Sequence, residues 1–343
     1  MKRLIPFVLT AALVAVIVIG AGAWYAARVL ERPLTLPEAG VAFEIRPGSA
    51  LATVSNELVE RGILSEPTVF RWYGRLSGKA NMIHAGEYLI EPGTTPASLL
   101  DKFVRGEVRL YSFTIVEGWT FREMLTALAA HPAISTSIGY EDWPALLESL
   151  GSAHDHPEGL FLPETYRFPK HTDGRDVLRQ AYNLMQQTLA AAWQSRATGL
   201  PLSTPYEALI LASIVEKETA RADERARIAG VFVRRLEKGM RLQTDPTVIY
   251  GIGVQFDGNL TRRDLRSDTD YNTYTRAGLP PTPIALPGRS SIEAALHPDD
   301  GKALYFVATG LGDGSHKFSE TKEQHDAAVR EYLARQRARR AGN

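Results

Sequence analysis

The sequence contains no cysteine among its 343 residues. Disulfide bonds, zinc-thiolate sites, thiol nucleophiles and a lipid-modified cysteine anchor are therefore excluded. The chain also has no net charge, because 39 basic residues balance 39 acidic ones. This balance argues against a nucleic-acid-binding protein, which usually shows a basic excess. Histidines at metal-ligand spacing and glycine-rich nucleotide loops are also lacking, so the sequence predicts no metal site and no cofactor.

One long uncharged stretch stands at the N-terminus. Residues Leu4 to Ala27 carry no charge and follow Lys2 and Arg3, and about 20 apolar residues are enough to cross a bilayer as a helix. The positive-inside rule places the short N-terminal end in the cytoplasm. We therefore expect a single-pass membrane protein with most of its chain outside the cytoplasm. A cleaved signal peptide is the alternative, although its apolar core would span only about 7–15 residues.

A small folded module follows a proline-containing linker. Strand patterns at 43–46 and 86–91 enclose two helical patterns near 50–61 and 66–76, which predicts a β-α-α-β unit. This order resembles a LysM-type module, and the resemblance implies binding to N-acetylglucosamine polymers. A small α+β adaptor that binds no ligand is the alternative.

The remaining sequence alternates between helical periodicity and loop signals. Helices are predicted at 176–197, from Pro205 to about Ala222 and at 225–239, and a hairpin is predicted at 304–319. The segment from 240 to 300 is rich in Gly, Pro, Asn, Asp and Thr, which is typical of loops. The fold class is therefore α+β. The predicted divisions are a cytoplasmic tip and transmembrane helix (1–30), a linker (31–40), the LysM-like module (41–112), a connecting region (113–180) and a larger mixed α+β catalytic domain (181–343).

Two glutamates lie two positions apart in the apolar run LASIVEKETA, residues 211–220. At about 100° per residue, Glu218 falls on the apolar arc of the predicted helix, whereas Glu216 falls on the side of Ser213 and Lys217. The two carboxylates therefore point almost oppositely. Burial disfavours the charged form and should raise the pKa of Glu218, which suits a proton donor. Glu216 is predicted to be solvated. A structural role for Glu218, hydrogen-bonded to loops or paired with a nearby arginine, is the alternative.

Several long motifs resemble the YceG-like family of endolytic murein transglycosylases. They are EGLFLPETY (158–166), ASIVEKETA (212–220), RLQTDPTVIYG (241–251), YNTYTRAGLPPTPIALPG (271–288) and AALHP (294–298). They occur in the family's order and extend over nearly the whole chain. The resemblance implies that the second glutamate of the EKE triplet, Glu218, is the catalytic acid. It also implies an inner-membrane enzyme that faces the periplasm, cuts nascent glycan strands internally and associates with cell-wall synthases.

The implied reaction cuts the β-1,4 bond from N-acetylmuramic acid to N-acetylglucosamine without water and leaves a 1,6-anhydro end. Such chemistry can run on one carboxyl group. Four residues in two loops offer polar groups for sugar contacts, and Tyr274 also offers an aromatic face. These predicted substrate-binding residues are Gln243, Asp245, Asn272 and Tyr274.

Two other functions stay open at this level. A muramidase would hydrolyse the same bond with Asp245 as a second carboxylate. A non-catalytic scaffold would bind the cell wall through the LysM-like module. Asp245 could also serve only to organise its loop, because Asp commonly binds nearby backbone amides.

Overall fold

The computed structural model describes residues 4–136 and 138–341. The chain divides into two compact units. The first contains the residues up to Tyr111 together with Phe168–His171, and the second contains Ser112–Arg167 and the residues from Thr172 onward. Each unit is described by itself. The predicted connecting region and catalytic domain both contribute most of their residues to the second unit.

The first unit begins with a long apolar helix, α1 (Leu4–Glu31). Its stretch Leu9–Glu31 is long and apolar enough to cross a membrane, and that stretch is not buried in the protein, unlike the core helix of a soluble domain. A signal sequence near the N-terminus can meet the same criteria of length and hydropathy. A helix of the predicted length and composition is thus present, whereas Lys2 and Arg3 lie outside the described residues. Near its C-terminal end, the Tyr25 hydroxyl donates a hydrogen bond of 2.9 Å to Glu66.

The rest of the first unit is a two-stranded antiparallel sheet with three helices. The elements are β1 (Val41–Ile45), α2 (Leu51–Glu60), α3 (Pro67–Leu76), β2 (Gly86–Ile90) and α4 (Pro96–Arg105). Phe43 pairs with Tyr88 across the sheet, and both side chains are fully buried, as is Phe103 from α4. Thr95 caps α4 with a reciprocal pair of hydrogen bonds to Ser98. The predicted β-α-α-β order is confirmed to within two residues at each end.

The second unit is mostly helical, with short strands at its periphery. Its elements, some of which begin or end at the boundary of the first unit, are β3 (Leu110–Thr114), α5 (Phe121–Ala129), β4 (Ile134–Thr136), α6 (Trp143–Leu150), β5 (Thr165–Pro169), β6 (Thr172–Asp173), α7 (Gly174–Gln194), α8 (Pro205–Glu218), α9 (Arg225–Glu237), α10 (Asp245–Ile252), α11 (Arg289–Leu296), β7 (Tyr305–Ala308), β8 (His316–Ser319) and α12 (Lys322–Ala341). Strands β7 and β8 form the predicted antiparallel hairpin. The mixed α+β class is confirmed.

Helix α8 lies at the centre of this unit. Thr204 caps it by accepting a hydrogen bond from the Glu207 amide, and Pro205 occupies the first turn, where no amide hydrogen is needed. Every residue from Ala208 to Val215 is buried, and α7, α9 and α11 pack around the helix. A helix that is apolar on all sides is a core helix. Its C-terminal end therefore presents Glu218 from a rigid support.

The segment 240–300 differs from the prediction of loops throughout. It contains α10 and α11, and α10 begins at Asp245 with Pro246 in its first turn. In the sequence, this proline suggests a break in a helix. Amide groups in the first turn have no intrahelical partner, so the amide hydrogen that Pro246 lacks costs little there. Helix α8 is also shorter than predicted, because Thr219 is extended and ends it.

Candidate active site

Glu218 is the last helical residue of α8 and is partly buried. The Thr244 hydroxyl donates a short hydrogen bond to Glu218 Oε1. Burial raises the pKa of Glu218 to about 7, the Thr244 hydrogen bond opposes this rise, and the negative charge of Asp245 adds to it. The C-terminal end of a helix also disfavours an anion. The carboxyl group is therefore held close to the protonation balance that acid–base catalysis near neutral pH requires.

Thr244 belongs to a buried cluster of three threonines. Its own side chain is 2% exposed, and Thr247 and Thr273 are likewise buried. The Thr244 amide donates to Thr273 Oγ1 at 3.1 Å, and the Thr247 hydroxyl donates to the Thr244 carbonyl at 2.8 Å. Thr247 and Thr273 also share a hydrogen bond of 2.9 Å. This cluster fixes the position from which Thr244 reaches Glu218.

The loop before α10 is organised by a buried cation, Arg235 of α9. Its Nη1 donates to the carbonyls of Arg241 and Leu242 at 3.1 and 2.9 Å, and its Nε donates to the Leu304 carbonyl at 2.7 Å. Burial lowers the pKa of Arg235. A buried guanidinium that satisfies three carbonyl groups holds the loop firmly.

Gln243 lies in this loop with an unusual backbone conformation. Its φ is +53°, in the left-handed region that non-glycine residues adopt at a cost of about 1–2 kcal/mol. The Gln243 amide donates to the Thr273 carbonyl at 3.2 Å, and its Oε1 accepts from Arg235 at 3.3 Å. These two hydrogen bonds keep the backbone in its strained conformation. The exposed side chain is therefore held beside Thr244.

Asp245 is exposed and occupies the first turn of α10, where the helix dipole favours a negative charge. Its Oδ1 accepts a hydrogen bond of 2.6 Å from the hydroxyl of Tyr274. Since its charge also raises the pKa of Glu218, Asp245 belongs to the same site. The structure thus brings Glu218, Gln243, Asp245 and Tyr274 together around Thr244.

Asn272 is buried, unlike the other predicted substrate-binding residues. Its side chain is 1% exposed, and its Nδ2 donates to the carbonyls of Asp264, Leu265 and Ser267. Its Oδ1 accepts from the Tyr274 amide at 2.9 Å. All its polar atoms are hydrogen-bonded inside the protein, which supports a structural role, and substrate binding by Asn272 stays a prediction. Asn272 shapes the loop that carries Tyr274.

The prediction for Glu216 was wrong. Its side chain is 6% exposed and lies 3.7 Å from Arg225, and its Oε2 accepts the Gly288 amide at 2.9 Å. The polar side of the predicted helix therefore faces other parts of the fold rather than solvent. Lys217 donates to the Gly118 carbonyl at 3.1 Å. All three side chains of the triplet are thus fixed by long-range contacts, and only Glu218 belongs to the candidate active site.

A second buried acid, Glu158, was missed as an individual residue although its motif was noted. It is 3% exposed, accepts the Phe121 amide at 2.8 Å and accepts the Tyr250 hydroxyl at 3.0 Å. Burial raises its pKa to about 7 as well. Glu158 thereby joins the start of α5 to α10. Thr244 and Arg235 were also missed, because short polar and cationic side chains carry no signal of their partners in the sequence.

Within residues 4–136 and 138–341, no group of three or more His, Cys, Asp or Glu side chains is arranged to hold a metal ion. The site instead offers one carboxyl group with a raised pKa, a hydroxyl that binds it, exposed amide and carboxylate groups, and the partly exposed phenol of Tyr274. Such a set can donate a proton to a leaving oxygen and then accept one.

A family model, named relatives and a solved structure each match most of this chain. The model of the YceG-like family matches residues 43–331. A Bacillus subtilis (strain 168) protein named endolytic murein transglycosylase is 29% identical over 335 residues, which cover 93% of this chain and 92% of that protein. A Streptococcus pneumoniae (strain D39) protein of the same name is 28% identical over 326 residues, covering 85% of this chain and 58% of its own length. The crystal structure of a yceG-like protein from Listeria monocytogenes has a TM-score of 0.53 and 27% identity, over 85% of this chain and 99% of that one.

Proposed function

Since this chain belongs to the YceG-like family and is an enzyme of the lytic transglycosylase class, we propose that Glu218 cleaves peptidoglycan strands internally as a single acid–base residue. The bond cut is the β-1,4 bond between N-acetylmuramic acid and N-acetylglucosamine. The family and the enzyme class follow from the matched model and from the names of the relatives. The single-residue mechanism is supported by the geometry around Glu218.

In this mechanism, the protonated Glu218 gives its proton to the glycosidic oxygen while the bond from that oxygen to the muramyl anomeric carbon breaks. The muramyl O6 hydroxyl then attacks the anomeric carbon, and Glu218 accepts its proton. The new O6–C1 bond closes a 1,6-anhydro ring, and the enzyme returns to its starting protonation state. No water is consumed, so one carboxyl group is enough.

The observation that carries this proposal is the partly buried Glu218 carboxyl, which has a pKa of about 7 although Thr244 donates a hydrogen bond to it. A carboxyl group in solution titrates about 2.5 pH units lower and would hold almost no proton at neutral pH. The Thr244 hydroxyl orients the carboxyl group and stabilises the carboxylate that forms after the first proton transfer.

Gln243, Asp245 and Tyr274 are proposed to contact the sugar next to the cleaved bond. Gln243 and Asp245 are exposed, Tyr274 is partly so, and each is held in place by an internal hydrogen bond. We assign Asp245 to substrate contact and to electrostatic support of the protonated Glu218. A hydrolase would instead use Asp245 to activate water, which is the second mechanism to be tested.

Helix α1 is proposed to anchor the protein in the inner membrane with its N-terminus in the cytoplasm, which leaves the rest of the first unit and the second unit in the periplasm. Its length, composition and exposure support this topology. The LysM-like module is proposed to bind glycan, and association with cell-wall synthases stays a prediction of the family resemblance. Termination of nascent strands would follow from cutting near the membrane.

The mass of the products distinguishes the proposed functions. Purified glycan strands are digested with the full chain in detergent, and the new ends are analysed by mass spectrometry. The lytic mechanism predicts anhydro ends that are lighter than hydrolytic ends by one water molecule. Hydrolytic ends would support the muramidase, and intact strands after prolonged digestion would support a non-catalytic scaffold.

A further inference from the structure

Helix α3 exposes two large apolar side chains on one face. Trp72 is 56% exposed and Leu76 is 81% exposed, and positions four apart lie on the same side of a helix. Arg75 lies beside them, with its guanidinium carbon 5.9 Å from the centre of the Trp72 ring. We call these three residues the Trp72 face. Scattered apolar residues are normal on a protein surface, so exposure alone does not indicate a binding surface. What the Trp72 face indicates depends on where it lies relative to the proposed membrane span.

The start of α3 is tied to the end of the predicted membrane span. Tyr25 donates a hydrogen bond of 2.9 Å to Glu66, which immediately precedes α3, and α1 also packs against α3 and α4. The uncharged stretch Leu4–Ala27 is about 36 Å long at 1.5 Å per residue, slightly more than a hydrocarbon core of about 30 Å. With α1 spanning the bilayer as proposed, Tyr25 lies at its outer boundary, and the hydrogen bond places Glu66 there too.

The length of α3 limits how far the Trp72 face can be from that boundary. Trp72 follows Glu66 by six residues and Leu76 follows it by ten, so their rises along the helix axis are about 9 and 15 Å. The polar headgroup layer on each side of a bilayer is about 5–8 Å thick. With α3 perpendicular to the membrane, Trp72 lies about 9 Å above Glu66, just beyond this layer, and a tilt of α3 brings it closer. Leu76 reaches it only if α3 lies nearly parallel to the membrane.

Three arginines near this boundary have no carboxylate partner. Among the residues that the structure describes, Arg28, Arg71 and Arg75 form no ion pair. Arg28 stacks on Trp24 at 5.1 Å, and Arg71 donates to the Pro67 carbonyl at 3.2 Å. Unpaired arginines next to exposed indole rings are the composition of a membrane interface, where cations attract anionic headgroups and indoles occupy the boundary.

We infer that the Trp72 face docks on the anionic headgroup layer of the same bilayer that α1 spans. This inference rests on the proposed anchoring by α1 and goes beyond the proposed catalytic function. The tether through Tyr25 and Glu66 makes docking intramolecular, so even a weak surface contact is effective. The part of the first unit that follows α1 would then rest on the membrane surface rather than project from it.

The absence of cysteine allows a direct depth measurement on the full chain. Single substitutions Trp72→Cys and Leu76→Cys are labelled with an environment-sensitive fluorophore, and each variant is reconstituted in vesicles of phosphatidylethanolamine and phosphatidylglycerol. Lipids with a nitroxide quencher near the headgroup report contact. Asn56→Cys on exposed α2 is the control outside the membrane, and Ala15→Cys in α1 is the control within it.

We expect at least twofold stronger quenching at positions 72 and 76 than at 56, together with blue-shifted emission. Replacing phosphatidylglycerol by a zwitterionic lipid, or introducing Arg71→Glu with Arg75→Glu, should at least halve this excess. Labels at 72 and 76 that behave like the label at 56 would overturn the inference while leaving the anchor intact, provided that the label at 15 is quenched by lipids with a deep nitroxide. A label at 15 that stays unquenched would overturn the anchor and the docking together. If the emission of the label at position 72 shifted to the blue only after addition of glycan, this result would overturn docking in favour of sugar binding.

Discussion

Substitution of Thr244 by valine should move the pH dependence of glycan cleavage to higher pH. The Thr244 hydroxyl donates its hydrogen bond to Glu218 Oε1 and thereby stabilises the ionised form. Hydrogen bonds to charged groups contribute about 1.5–3 kcal/mol, and 1.36 kcal/mol corresponds to one pH unit in a pKa. Because Thr244 is 2% exposed, solvent does not replace the lost donor easily. The Glu218 pKa should therefore rise from about 7 by about one to two pH units.

The sign of the effect on rate follows from the first step of the mechanism. Proton donation requires protonated Glu218, so kcat/KM of the wild type should fall as the pH rises above about 7. In Thr244→Val the fall should begin at higher pH, although the maximal rate decreases because the carboxyl group is less well oriented. Initial rates on purified strands between about pH 5.5 and 9.5 would give both curves.

Thr247→Val is the matched control for this experiment. Thr247 is buried in the same cluster and bonds to the Thr244 carbonyl and to Thr273, and within the described residues it forms no hydrogen bond with the Glu218 carboxyl group. This variant should keep the wild-type position of the curve. A Thr244→Val curve that falls at the wild-type pH would refute the role of Thr244 in setting the pKa of Glu218.

Two other substitutions test neighbouring charges. Asp245→Asn removes a negative charge that raises the pKa of Glu218, so the fall in kcat/KM should move to lower pH while anhydro products persist; complete loss of cleavage in a folded variant would instead indicate a second catalytic carboxylate. Glu158→Gln should remove a pH dependence of stability. Burial raises the folded-state pKa of Glu158 to about 7, so its contribution to stability is present below the unfolded value of about 4.5 and is lost as the pH rises to about 7. The loss is at most about 3–4 kcal/mol, and thermal unfolding midpoints at pH 5 and pH 8 should differ less in Glu158→Gln than in the wild type; equal differences would contradict the assignment.

The sequence indicated Glu218 as the catalytic candidate and predicted its position on a helix, which the structure shows as α8. Part of that prediction came from the family resemblance rather than from physical reasoning. The helix-face argument assumed a solvent-facing side next to Ser213 and Glu216. In the structure, the Ser213 hydroxyl accepts the Ile284 amide and Glu216 accepts the Gly288 amide, so that side is buried too. What singles out Glu218 is its partner Thr244, 26 positions away in the chain, and periodicity carries no information about such contacts.

The loops around Glu218 show the same limit of local patterns. Asp245 and Pro246 were expected in a loop, and the residue before a proline avoids helical conformation in most contexts. The start of a helix is the exception, because Pro246 needs no amide hydrogen there. An amide side chain such as Asn272 can serve sugar or backbone equally well, and only the folded chain shows that three carbonyl groups occupy it.

The most direct test compares the two glutamates of the triplet in one assay. Glu218→Gln and Glu216→Gln are each made in the full chain, checked for a native unfolding transition, and incubated with purified glycan strands. Loss of a general acid typically costs a factor of about 10²–10⁴ in rate. Our account predicts a loss of this size for Glu218→Gln and, in a folded Glu216→Gln variant, a rate within about tenfold of the wild type. Cleavage by Glu218→Gln at the wild-type rate would contradict it.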